Sequence, residues 1–265
     1  NGLTKDSLRR TLAERDGSFV ATKEPSLSQR NCKINMRELY YQVAGHNFSL
    51  QLGGHDSIIC NLRAYEPFAV LPAENIIFSL HITDNPLSDE GVTEEMRQQD
   101  EGQYIIAGHQ ASGEPRFEFW LHDRRSAVLV TSSDYGHGDV YLESHHKFGI
   151  NNALMVMYAL ATANRRTALF HSSVVSYQDG GYMFLGHSGT GKSTHSSLWQ
   201  KYIDGTELVN DDNPVVRILD NGEVRVYGSP WSGKTPCYRA VSYPLKALVN
   251  LSQAPENRIR RLKGL

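Results

Sequence analysis

The period of apolar and polar positions changes twice along the chain. Across residues 37–143 short apolar runs recur, among them Leu39-Tyr40-Tyr41-Gln42-Val43, Ile76–Ile82, Tyr104-Ile105-Ile106-Ala107 and Ala127-Val128-Leu129-Val130. Arg116-Phe117-Glu118-Phe119-Trp120-Leu121 alternates strictly, and Asp, Asn, Gly and Pro separate the runs. Such spacing predicts an antiparallel, largely β region. Across 148–164 the period becomes helical, with Ile150, Leu154, Met157, Tyr158 and Leu160 on one broad face. Strands then return at 168–175, 182–185 and 207–212, as a hairpin of 215–219 and 223–227 about Asp220-Asn221-Gly222, and at 247–251. Residues 194–202 lack Gly and Pro and carry Leu198, Trp199 and Tyr202 at helical spacing, and 254–258 reads as a short helical or turn segment.

Between the strand at 182–185 and the helix at 194–202 lies Gly186-His187-Ser188-Gly189-Thr190-Gly191-Lys192-Ser193, followed by Thr194. It satisfies G-x-x-x-x-G-K-[ST] at every required position, in the strand-loop-helix context that the pattern needs. Glycines let backbone N–H groups close around phosphates at a helix N-terminus, Lys192 adds a cation for the outer phosphates, and Ser193 offers a hydroxyl to Mg²⁺. Gly186, Ser188, Gly189, Thr190, Gly191, Lys192, Ser193 and Thr194 are therefore the expected nucleotide-binding residues.

Downstream, Glu207-Leu208-Val209-Asn210-Asp211-Asp212 passes from apolar to acidic, as where a core strand emerges into a site. Two carboxylates there can hold Mg²⁺ or accept a proton from an attacking hydroxyl, although Asp211-Asp212-Asn213-Pro214 also has turn composition. The strand at 168–175, paired with the one before the loop, sets His171 beside the nucleotide. In Trp231-Ser232-Gly233-Lys234, Ser232 and Lys234 are placed to close over phosphates, with a purely structural loop at even odds. The histidines of the β region, including adjacent His145-His146, lack ligand spacing and read as surface residues, the adjacent pair diverging. Arg116, Arg124 and Arg125 read as a solvated face.

Composition narrows the class without adding chemistry. The 265 residues carry a formal net charge of −2, with dispersed cations that suggest neither a nucleic-acid nor a membrane partner. Cys32, Cys60 and Cys237 are far apart and imply a reduced, cytoplasmic protein. Residues 1–35 are polar, read as no signal peptide, and form an extension with a helix expected at 6–14 or an additional segment before a natural start at Met36.

The order of Leu169-Phe170-His171-Ser172-Ser173, the loop, Leu208-Val209-Asn210-Asp211-Asp212 and Trp231-Ser232-Gly233-Lys234 resembles the P-loop superfamily containing HPr kinase/phosphorylase and phosphoenolpyruvate carboxykinase. The resemblance covers roughly the last hundred residues and is nearest to HPr kinase-related proteins. It implies an α/β fold: a P-loop core of the HPr kinase/carboxykinase type with a mixed, largely antiparallel sheet at 147–265, preceded by a smaller, mostly-β domain at 36–146. The implied activity is ATP- and Mg²⁺-dependent phosphoryl transfer to a hydroxyl of a protein or small molecule, with Mn²⁺ an alternative metal. Lys192 would act on the phosphates, Asp211 as base, Ser193 and Asp212 as metal ligands, and His171 on the base or the metal, the two aspartate roles being exchangeable. Lys234 falls where the carboxykinase lysine would. HPr kinases commonly form hexamers, which leaves a homo-oligomer open. The competing readings are a carboxykinase, for which no arginine-rich acid pocket can be matched, and an ATP sensor without transfer.

Overall fold

The computed structural model describes residues 37–100, 102–233 and 235–262. The helix expected at 6–14, the start at Met36, Cys32 and the expected lid residue Lys234 lie outside the described residues.

β1 (Glu38–Val43) and β2 (His46–Gln51) form a hairpin whose turn residues Ala44 and Gly45 both have positive φ, 48° and 75°. Both central residues of a tight two-residue turn adopt that conformation when it matches the strand twist. β3 (Ile76–Ile82) lies parallel to β2 and to β8 (His137–Leu142). Between β8 and the sheet edge run β7 (Arg124–Thr131), β6 (Pro115–Leu121), β5 (Gln103–His109) and β4 (Thr93–Asp100), all antiparallel. The eight-stranded order is β1-β2-β3-β8-β7-β6-β5-β4.

An antiparallel region was the expectation, and the two parallel pairs at β3 correct it. Parallel neighbours need a long crossover. Two 3₁₀ segments, Asp56–Asn61 and Arg63–Phe68, supply one, burying Ile58, Tyr65 and Phe68, and the β4 to β7 meander supplies the other. β4 escapes sequence reading because all its residues are exposed and mostly charged or polar.

Arg116 is not on a solvated face. It is 1% exposed, donates to the Ser88 carbonyl at 2.8 Å and to Glu118 at 2.9 Å, and also pairs with Asp89. Arg125 joins the same network through Asp89 and Glu143, and these partners hold the Asp89 carboxyl below the ordinary range.

α1 (His146–Thr162) packs Ile150, Ala153, Leu154, Met157 and Tyr158, all fully buried, into the core beneath this first sheet. The second sheet contains β9 (Thr167–Leu169), β10 (Ser172–Tyr177), β11 (Gly180–Leu185), β12 (Glu207–Asp212), β13 (Val215–Ile218), β14 (Val224–Tyr227) and β15 (Ser242–Asn250). Its order is β12-β10-β11-β15-β14-β13-β9, with only β11 and β15 parallel.

The strand expected at 168–175 is two strands, broken at Phe170-His171. The partner ribbon breaks opposite, at Asn213-Pro214, where Pro214 has no N–H for a ladder and Phe170 N bonds its carbonyl at 3.1 Å instead. No helix forms at 254–258. Val215 and Trp231, from the second half of the sequence, lie in the same apolar core as β1 to β3 and α1. The fold is thus mixed α/β, with two largely antiparallel sheets and few helices. Among the described residues no helix is long and apolar enough to cross a membrane.

Candidate functional site

The loop grows out of β11, whose Met183 and Phe184 are buried. Chain direction reverses at Gly186, with φ 153°, where a Cβ would lie 2.6 Å from Thr190 Oγ1 and 3.0 Å from the Leu251 carbonyl. Only glycine fits such a close approach. At the tip, Gly189 and Gly191 have φ of 78° and 97°, and space is open where their Cβ atoms would be. Ser188 and Gly189 are exposed there, and Thr190 closes the turn by donating to the His187 carbonyl at 2.8 Å.

α2 (Lys192–Tyr202) begins directly after the loop. Lys192 is 8% exposed, and its Nζ donates to the carbonyls of Gly186 and His187 at 2.9 and 3.1 Å, inside the turn of backbone. Ser196 fixes α2 to β10 through a 2.6 Å bond with Ser173, and Trp199 packs on Tyr182 and Phe184. Leu198 and Tyr202, expected on the apolar face with Trp199, are instead exposed. The buried side of α2 is the small and polar one, because it covers the serine-bearing face of β10. Thr194 is exposed on the first turn.

Ser193 Oγ donates to Asp211 Oδ1 at 2.9 Å. This bond joins the loop to the end of β12, and Asp211 is 6% exposed. Its neighbour Asp212 has φ 148°, a strained value for a residue with a side chain, and bridges to Ser232. Buried Asn210 holds that corner: its Oδ1 accepts from Asn213 N at 2.9 Å, and its Nδ2 donates to Ser229 Oγ at 3.1 Å. Gly233 N donates to the Asp211 carbonyl at 2.7 Å, so the 231–233 loop lies against the aspartates.

His171 occupies the break between β9 and β10, with Nε2 3.8 Å from Asp212 Oδ1. Burial, reinforced by the Asp211 charge, raises the Asp212 carboxyl above its ordinary range against the opposing pull of His171 and Lys192. Ser193 is thus brought to Asp211 and His171 to Asp212, while the Lys192 charge acts on Asp212. Asn210 and Ser229 were missed, although an amide beside two carboxylates at a strand end is the signal that would have found them.

Elsewhere the histidines mostly make single partners: His55 with Asp84 at 2.8 Å, His81 with Asp139 at 2.9 Å, His109 with Glu95 at 3.1 Å. Among the described residues no three His, Cys, Asp or Glu side chains form a metal-binding group. A Mg²⁺ carried with a nucleotide needs none, since phosphate oxygens and water fill most of its shell. Cys60 and Cys237 are free thiols.

His145 and His146 are both exposed, as the surface reading expected, and His145, just before α1, is left-handed, with φ 44°. Both line a cleft of about 790 Å³ together with Lys147, Asn151, Ser232 and Gly233.

No protein-family model matches the chain, and no curated protein matches it.

Proposed function

We propose that the chain is an ATP- and Mg²⁺-dependent phosphotransferase of the HPr kinase-like type, whose second sheet is the P-loop core of the HPr kinase/carboxykinase superfamily. The observation that carries the reading is the Ser193 to Asp211 hydrogen bond, made at the mouth of a complete phosphate loop. In P-loop enzymes a Ser or Thr of the loop and a strand-end Asp share the metal.

The residues present fit that role. Ser193 and Asp211 would hold Mg²⁺, which neutralises charge on the β- and γ-phosphates. Loop N–H groups and Lys192 bind the same phosphates. Asp212 is the better base. It lies beside His171 rather than Ser193, and its raised pKa makes it a stronger proton acceptor. This is the exchanged assignment of the two aspartates. His171 then orients the Asp212 carboxylate.

Binding only to the folded state, Mg·ATP raises the melting temperature. Lys192→Ala should abolish most of that rise, read by thermal denaturation with and without Mg·ATP. An equal rise in the variant would remove the loop from the site.

A further inference from the structure

We infer that the cleft between the first turn of α1 and the residues Pro230, Ser232, Gly233 and Tyr238 is the acceptor pocket, taking a small hydroxyl compound that carries a carboxylate or phosphate on an apolar body. The inference rests on the phosphotransferase reading for its chemistry, but the cleft stands on its own geometry.

Continuity with the aspartates comes first. Ser232 and Gly233 form one end of the cleft, and the same residues touch the aspartates: Ser232 bridges to Asp212, and Gly233 N bonds the Asp211 carbonyl at 2.7 Å. The cleft and the two aspartates thus share Ser232 and Gly233 as immediate neighbours. Its volume of about 790 Å³ suits a small molecule.

Charge distribution comes second. Among the described residues no acidic side chain lines the cleft, whereas His145, His146 and Lys147 do. The first turn of a helix favours Asp and Glu because its free N–H groups carry partial positive charge. α1 has no acidic residue there and no side-chain cap. Lys147 in that turn adds to the positive potential at a cost in helix stability, which an anion in the cleft offsets.

The hydrogen-bond chain behind the wall comes third. Trp231 Nε1 can only donate, and it donates to Tyr65 Oη at 2.9 Å. The Tyr65 hydroxyl proton then goes to Asn151 Oδ1 at 3.0 Å. This fixes the amide, and Asn151 Nδ2, without a bond among the described residues, is left as a donor for the cleft. Phe148, Leu121 and Tyr238 supply apolar walls.

In the transfer, the acceptor hydroxyl oxygen forms a bond to the γ-phosphorus while its proton passes to the Asp212 carboxylate. The bond from the γ-phosphorus to the β,γ-bridging oxygen breaks, and its electron pair leaves with ADP. The anionic group of the acceptor stays at Lys147 and His146, away from the two aspartates.

The test uses the full chain and two probes, 3-phenyllactate and phenyl phosphate, followed by ligand-observed NMR. Binding of either is expected, the tighter one identifying the anion, with weakening of about tenfold in Lys147→Glu, an exposed position. Lys192→Ala should lose the Mg·ATP shift yet bind the probe as before. Neither probe binding, or equal binding to Lys147→Glu, overturns the pocket. In a second arm, γ-labelled ATP is incubated with protein-free and protein fractions of a cell extract. Label on a low-mass anionic product that falls in Lys147→Glu supports the proposal, whereas label on a protein overturns it. Absence of a Mg·ATP shift in the wild type, with probe binding retained, instead indicts the nucleotide reading.

Discussion

His46 provides a pH test of how the two halves are joined. It is 6% exposed, and its Nε2 lies 2.9 Å from Thr167 Oγ1. Thr167 donates its own proton to the Arg165 carbonyl at 3.0 Å, so His46 Nε2 must be the donor to Thr167. Burial first, then the Arg217 and Arg165 charges, depress the imidazole from 6.5 to about 4. A folded pKa below the unfolded one means that the unfolded chain binds the proton first. Stability contributed by neutral His46 is therefore whole above the unfolded value and lost as pH falls toward the folded value. With these two values the loss is about 2 kcal/mol near pH 5 and about 3 kcal/mol near pH 4. His46→Gln keeps a donor for Thr167 and removes the titration. Urea unfolding near pH 7, 6 and 5 should show the wild type losing about 2 kcal/mol more than His46→Gln across that range, carboxylate effects cancelling between them. Parallel declines in the two proteins would refute the depressed imidazole.

Asp212→Asn should leave the Mg·ATP thermal shift in place and abolish phosphoryl transfer. Retained transfer in the variant would return the base role to Asp211. Trp231→Phe removes the donor to Tyr65 and part of a fully buried ring, an expected loss of about 2–3 kcal/mol by urea unfolding; a change below about 0.5 kcal/mol would contradict a shared core. Arg116→Met leaves Glu118, 13% exposed, short of its main partner and should cost about 3 kcal/mol in the same assay. A near-neutral result there would show the network to be dispensable.

Where side-chain period and local chemistry agree, the sequence was readable. The expected strand at Ile76–Ile82 matches β3 residue for residue, and the loop between β11 and α2 lies where G-x-x-x-x-G-K-S requires. Strands carrying little apolar alternation escaped, as β4 did, since its stability comes from pairing with β5 rather than from burial. Parallel pairing at β3 was illegible because it depends on where a crossover returns, and no residue in β3 encodes that. The break at His171 depends on Pro214, a residue more than forty positions away that only sheet pairing brings opposite.

His145-His146 shows most sharply what single-sequence reasoning lacks. Adjacent side chains diverge on a regular strand or helix, and that rule argued against a joint role. That rule assumes regular backbone, and His145, at the start of α1, takes a left-handed conformation instead. Both residues line one cleft together with Ser232 and Gly233, which come from nearly ninety residues downstream. The 186–193 loop is a contiguous motif, since a loop and the helix after it suffice to build it. The cleft is assembled from α1, the two 3₁₀ segments, Leu121 and the loop after β14, and Trp231 is tied through Tyr65 to Asn151. The cleft is therefore set by tertiary packing of the first sheet's elements against Pro230, Ser232, Gly233 and Tyr238, while the form of the 186–193 loop is set locally.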